Sequence, residues 1–129
     1  MASILVIDND RQTRNLIRDI LEPMGHEVRE AGDGEEGLVQ YVTRPSDLVL
    51  TDILMPKRDG ISFLQKLIEE FPLAKVIVMS GEAKFVNSCN ILHIAKRLGA
   101  KECLEKPFDI QTLRDLVDQV LSDKLEKEP

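Results

Sequence analysis

The chain has 129 residues, 43% hydrophobic and 31% charged, with one Tyr, four Phe and no Trp, which suits a single globular domain with one proper core. Its formal net charge of −6 and pI near 4.9 argue against non-specific binding to nucleic acid or an anionic membrane, because both need a basic surface. No apolar run approaches the roughly 20 residues of a membrane span, no signal peptide precedes the first apolar run, and the widely spaced Cys89 and Cys103 give neither a zinc motif nor a disulfide framework, so a reducing cytoplasm is expected.

Residues 3–8 (SILVID) read as a buried strand that ends abruptly in acid. From Asp10 to about Met24, apolar residues at Leu16, Ile17, Ile20, Leu21 and Met24 make a helical stripe, closed by Pro23, Met24 and Gly25. Residues 26–31 form a weaker, alternating strand with Val28 inward. Gly32, Asp33 and Gly34 turn the chain into a modest helix over about 35–42. Residues 47–52 (DLVLTD) are a second buried strand ending in acid, followed by a loop through Leu54, Met55, Pro56, Asp59 and Gly60. A helix over 61–71 offers Phe63, Leu64, Leu67, Ile68 and Phe71 to the core.

Residues 74–80 (AKVIVMS) read as a fourth strand, followed by a loop and a helix through Ile91, Leu92, Ile94, Ala95 and Leu98. Gly99 and Ala100 lead into a short strand over 102–105 containing Cys103, and Lys106-Pro107 breaks it. The last helix runs from about Asp109, a plausible N-cap, to Leu121. Five β–α units in strict alternation predict an α/β fold with a parallel sheet and helices on both faces. Continuous Val/Ile/Leu strands fit a sheet covered on both sides.

In open parallel sheets, ligands bind beyond the carboxyl ends of the strands. Those ends carry Asp8, Asn9 and Asp10 after the first strand, Asp52 after the third, Ser80 after the fourth and Lys106 after the fifth. Clustered carboxylates repel unless a cation intervenes, and hard oxygen donors suit Mg²⁺ or Mn²⁺. An ammonium from Lys106 and a hydroxyl from Ser80 would complete a set that stabilises a transferring phosphoryl group. A carboxylate can itself accept that group. Each residue also has a plainer reading: Asp10 as a helix N-cap, Ser80 as a turn residue, Lys106 as solvated surface.

The segments ILVIDND, VLTDILMP followed by DG, VIVMSG and LEKPF occur in order at strand ends, and with them the chain resembles the receiver domains of two-component response regulators. The resemblance covers about 3–121 and is of the stand-alone, chemotaxis-regulator kind. It implies a flavodoxin-like sheet of order 2-1-3-4-5, filling 1–122, with 123–129 a charged C-terminal tail. It further implies that Asp52 is the phosphoacceptor, that Asp8, Asn9, Asp52 and the backbone carbonyl of Leu54 hold Mg²⁺, and that Ser80 and Lys106 contact the phosphoryl group. The domain would assist its own phosphorylation and dephosphorylation without being an enzyme. A sensor histidine kinase or histidine phosphotransfer protein would be the donor, and a downstream protein the receiver of the signal, through the region from Ile91 to Leu121. The chain would act as a monomer or a phosphorylation-dependent dimer. With no effector domain in the sequence, output is expected through protein contacts, unless the chain is a fragment.

Three positions depart from that family's pattern. Asn9 stands where a second acid is usual, which lowers the negative charge offered to the metal. Cys103 stands where an aromatic ring normally turns inward with the hydroxyl residue, so the switch at Cys103 and Ser80 cannot run through such a ring; a small hydrophobic role for Cys103 is preferred to a redox one. Residues 82–90 lengthen the loop after Ser80, either as a partner surface or as neutral decoration. His93 nearby is expected to be a surface or half-buried side chain.

Two alternatives compete. A haloacid-dehalogenase-type phosphatase would use Asp8 and Asp10 as its Asp-x-Asp pair, but Gln12 and the short chain fit it poorly. A pseudo-receiver would keep the fold as a binding module without phosphorylation. A nucleotide- or flavin-binding protein is disfavoured, since Asp10-Arg11-Gln12 replaces any glycine-rich loop.

Overall fold

Short aliphatic runs become strands here because consecutive side chains are taken up by opposite faces of one sheet. The computed structural model describes residues 2–53, 60–81 and 95–122. In chain order it contains β1 (Ser3–Ile7), α1 (Arg11–Leu21), a 3₁₀ turn (Glu22–Met24), β2 (Glu27–Ala31), α2 (Gly34–Thr43), β3 (Leu48–Asp52), α3 (Gly60–Glu70), β4 (Val76–Ser80), β5 (Glu102–Glu105) and α4 (Ile110–Leu121). Residues 95–98 are also helical. The five strands are parallel in the order β2-β1-β3-β4-β5, the predicted arrangement.

The sheet divides the core into two. Leu5, Ile7, Val49, Val76 and Val78 face one cluster, with Tyr41 of α2, Phe63, Leu64 and Leu67 of α3, and Ala95. Ile4, Val6, Leu48, Leu50, Ile77 and Met79 face the other, with Ile17, Ile20 and Leu21 of α1 and Leu113, Val117 and Val120 of α4. The helix stripes are narrower than expected. Leu16 remains 47% exposed, because α1 points Ile17, Ile20 and Leu21 at the sheet and leaves Leu16 on the flank. Ile68, Phe71 and Met24 only lean on the core from its rim. Of the helix predicted through 91–98, residues 91–94 lie outside the described residues, while Ala95 is buried and Leu98 packs against the core.

Local chemistry sets the ends. Asp10, Asp33 and Asp109 are the N-caps of α1, α2 and α4, each accepting a backbone N–H of the first turn. Gly25, with φ of 95°, takes the left-handed conformation that ends the 3₁₀ turn. β3 starts at Leu48 rather than Asp47, whose carboxylate instead accepts the Ser3 N–H at 2.8 Å. β5 is an edge strand of which only Leu104 is fully enclosed, so Cys103 is half-buried rather than within a buried strand.

Candidate functional site

Because β1 pairs directly with β3, with Ile7 opposite Thr51, the residues that follow, Asp8 and Asp52, arrive side by side at the carboxyl edge. Asp8 is fully buried and Asp52 is 7% exposed. Two buried carboxylates side by side demand a counter-charge. It comes from β5: Lys106 Nζ donates to Asp8 Oδ2 at 2.7 Å and to Asp52 Oδ2 at 3.1 Å. Burial alone pulls the Lys106 ammonium down, but the hydrogen bond to Asp8 and the charges of Asp52 and Asp8 outweigh it and hold the group above the ordinary lysine value.

The backbone at β5 places that lysine. Lys106 N–H donates to the Ser80 carbonyl at 2.8 Å, continuing the β4–β5 ladder one residue past the strand, and the Lys106–Pro107 peptide is cis. Ser80 itself is 1% exposed, and its hydroxyl donates to the Gly81 carbonyl at 3.3 Å. The four strand ends therefore meet as predicted. Asp8, Asp52 and Lys106 are in direct contact, and Ser80 is at the adjoining end of β4.

The rest of the predicted set divides. Asn9 is exposed beside Asp8. Leu54, Cys89, His93 and the 82–90 loop lie outside the described residues. The Asp10 carboxylate is engaged by the first turn of α1. Its Oδ1 accepts the Gln12 N–H at 3.0 Å and its Oδ2 accepts the Thr13 hydroxyl at 3.0 Å, and the Thr13 and Gln12 hydrogen bonds hold its pKa below the usual carboxylate value. Asp10 is a helix cap. Cys103 packs against the cluster of Ala95 and Val78, opposite Val78 in register, and burial pushes its thiol pKa up, the opposite of a reactive cysteine.

Arg14 escaped sequence reasoning. Its Nη1 donates to the Asp8 carbonyl at 2.6 Å and its Nε to Glu30 Oε1 at 2.9 Å. The other Glu30 oxygen accepts Arg18 Nε at 2.7 Å. The available signal was the i, i+4 pair Arg14 and Arg18 on the flank of α1, with Glu30 one residue from the end of the neighbouring strand.

As a cation site, the cluster offers two carboxylates and an amide. Among the described residues no group of three or more His, Cys, Asp or Glu is placed to hold a metal ion; the acids in direct contact at this edge are Asp8 and Asp52, bridged by Lys106. Their oxygen donors fit a hard divalent cation. Beside Lys106 an open cavity of about 320 Å³ is lined by Thr13, Leu16, Gly81, Lys106, Pro107 and Phe108. Its apolar wall, including the exposed Leu16, gives the charged centre a hydrophobic shelf.

Known proteins share this sequence pattern and fold. The response regulator receiver domain family matches residues 4–118. Chemotaxis protein CheY of Treponema pallidum is 36% identical over 92% of this chain and 81% of its own length. The probable CheY of Rhizobium etli is 32% identical over 91% and 90%. The DNA-binding transcriptional regulator NtrC of Azospirillum brasilense is 32% identical over 94% of this chain, which spans only 24% of that relative. Among solved structures, a receiver domain protein from Clostridium thermocellum superposes with a TM-score of 0.87 at 31% identity, covering 96% of this chain and 97% of that one. NtrX from Brucella abortus does so at 0.89 and 32%, covering 98% and 29%. The match of the family model to residues 4–118, nearly the whole strand-and-helix alternation, makes this chain a member of the response regulator receiver domain family.

Proposed function

We propose that this receiver domain is phosphorylated on Asp52 by a phosphohistidine of a sensor kinase or phosphotransfer protein, with Mg²⁺ held by Asp8, Asp52, Asn9 and the Leu54 carbonyl. The observation that carries the reading is the shared ammonium: Lys106 contacts both Asp8 and Asp52. Asp52, the more exposed of the two carboxylates, attacks phosphorus while the bond to the donor imidazole nitrogen breaks, and the imidazole leaves with that electron pair. A divalent cation supplies neutralisation of the phosphoryl oxygens. Asp52 then no longer carries its own carboxylate charge. Lys106 keeps Asp8 and turns its remaining donors to the new phosphoryl oxygens, and Ser80 exchanges the long bond to Gly81 for one of them. A single aspartyl-phosphate per chain makes this a switch that assists its own chemistry, not an enzyme.

The shelf of Leu16, Pro107 and Phe108 beside Lys106 supports a donor carried on a protein surface rather than a free small molecule. Output would not use an aromatic at position 103, because Cys103 offers no ring there. The acidic surface supports a role without direct nucleic-acid contact, and no described helix is long and apolar enough to cross a membrane.

Intact-mass spectrometry after incubation with acetyl phosphate and Mg²⁺ tests this directly. One added phosphoryl group is expected on the wild type and none on Asp52→Asn. An unlabelled wild type, beside a control receiver that is labelled, would favour the pseudo-receiver. Label kept by Asp52→Asn and lost by Asp8→Asn would point to the phosphatase chemistry instead.

A further inference from the structure

The main chain and side chain of Asp8 are fixed at four points. Its N–H donates to the Ala31 carbonyl at 3.1 Å, Oδ1 accepts the Asp10 N–H at 2.8 Å, and Oδ2 accepts Lys106 at 2.7 Å. The fourth bond comes from a side chain outside the acidic cluster: Arg14 Nη1 to the Asp8 carbonyl, at 2.6 Å. That carbonyl belongs to the peptide plane joining Asp8 to Asn9. Pinning it fixes the rotation of the plane, and with it the direction in which Asn9 leaves the strand.

A guanidinium so near a divalent-cation site would ordinarily be a liability, since like charges repel. Here it is held by Glu30 at 2.9 Å, and Glu30 shares its second oxygen with Arg18 at 2.7 Å. Arg18 in turn pairs with Glu22. The four charges sum to zero, so Arg14 supplies a donor to the acidic turn with its charge offset on the far side. Burial raises the Glu30 pKa, but the Arg18 and Arg14 hydrogen bonds and charges outweigh it and bring it below its usual value, so the clamp is ionised at neutral pH. The fork of Arg14 is what spans both partners: Nη1 reaches the strand end while Nε reaches Glu30. A lysine carries all its donors on one nitrogen and cannot reproduce a fork whose two nitrogens each meet a different partner.

We infer that Arg14 is a positioning residue for the Asp8–Asn9 turn, holding the Asp8 carbonyl so that Asp8 and Asn9 present their oxygens to a divalent cation together. The inference rests on the proposed role of Asp8 and Asn9 as cation ligands. It matters more in this chain because Asn9 brings an amide rather than a carboxylate, and a neutral ligand has less attraction of its own with which to find the metal.

Two measurements on folded full-length protein decide it: Mg²⁺ affinity by titration calorimetry, and the backbone resonances of Asp8 carbonyl carbon and Asn9 amide nitrogen. Arg14→Met should weaken Mg²⁺ by about tenfold, the lower end of what outer-shell partners contribute, and should move both resonances even without metal. Arg18→Met loses a bond to the same Glu30 yet touches no part of Asp8. It should keep near wild-type affinity and leave both resonances in place. Arg14→Lys, also the fallback if the Met variant does not fold, should lie between wild type and Arg14→Met. Wild-type affinity and unmoved resonances in Arg14→Met would overturn the inference, as would an equal loss in both Met variants. Should the wild type itself bind no Mg²⁺, the proposed cation role fails first, and unmoved Asp8 and Asn9 resonances in Arg14→Met would then overturn the positioning role as well.

Discussion

One ammonium, that of Lys106, stands opposite two carboxylates, of which Asp8 has no exposure at all. Replacing it with methionine of similar length removes the one ammonium that bridges Asp8 and Asp52. Breaking a buried pair by removing one partner is strongly unfavourable, so Lys106→Met should lose about 3 kcal/mol in urea unfolding at neutral pH without divalent cations. A variant as stable as the wild type at pH 7 would show that the ammonium is not holding the carboxylates together. The wild type has its own signature at the alkaline end. The native Lys106 pKa is raised, so its contribution is complete below the unfolded lysine value of about 10.4 and is lost as pH rises through the native value.

At the level of elements, α2 lies against β1 through a glycine. A Cβ at Gly37 would come within 2.4 Å of Ile7 Cδ1 and 2.9 Å of Ile7 Cγ1, on a side chain that is itself fully buried. Alanine is normally the better helix residue by about 1 kcal/mol. Here that gain is set against overpacking of a strand residue directly before Asp8, which costs typically 1–3 kcal/mol. Gly37→Ala is therefore expected to lower the thermal midpoint; a raised midpoint would mean that Ile7 can re-pack freely. This contact was invisible in the sequence, where Gly37 sits unremarked in a modest helix. The strands, the cap Asp109 and the convergence of Asp8, Asp52, Ser80 and Lys106 were legible, because a parallel sheet places every carboxyl end on one edge; the strand order followed from the family resemblance, and Asp10 was left open between cap and acid. Arg14 was not, since a side chain that leaves its helix to bond a main-chain carbonyl follows no apolar period. Leu16 was read inward for a related reason: periodicity shows which stripe is apolar, but not how far α1 is rolled over the sheet.

Across the whole molecule, the site is the point where β1, β3, β4 and β5 all end, so a ligand there is coupled to the complete fold. A divalent cation that binds only the folded chain stabilises it by about 2.7 kcal/mol at a hundred times its dissociation constant. Mg²⁺ should therefore raise the thermal midpoint of the wild type, and should do so at lower concentration in Asn9→Asp, whose added carboxylate strengthens the donor set. A midpoint insensitive to Mg²⁺ in both proteins would count against these residues as the cation site.

The spacing of the central triad along the chain has a consequence for biosynthesis. Lys106 reaches a partner 54 residues earlier in Asp52 and one 98 residues earlier in Asp8. During translation, β1 and β3 can pair as soon as the first half of the chain has emerged, bringing the two carboxylates together before their lysine exists. Until β5 is made and docked, the half-built edge lacks the Lys106 ammonium that bridges the two carboxylates. On the proposed reading of Asp52 as phosphoacceptor, a nascent chain lacks the complete triad until the fifth strand is made, so competence to accept a phosphoryl group would be a late marker of synthesis and folding.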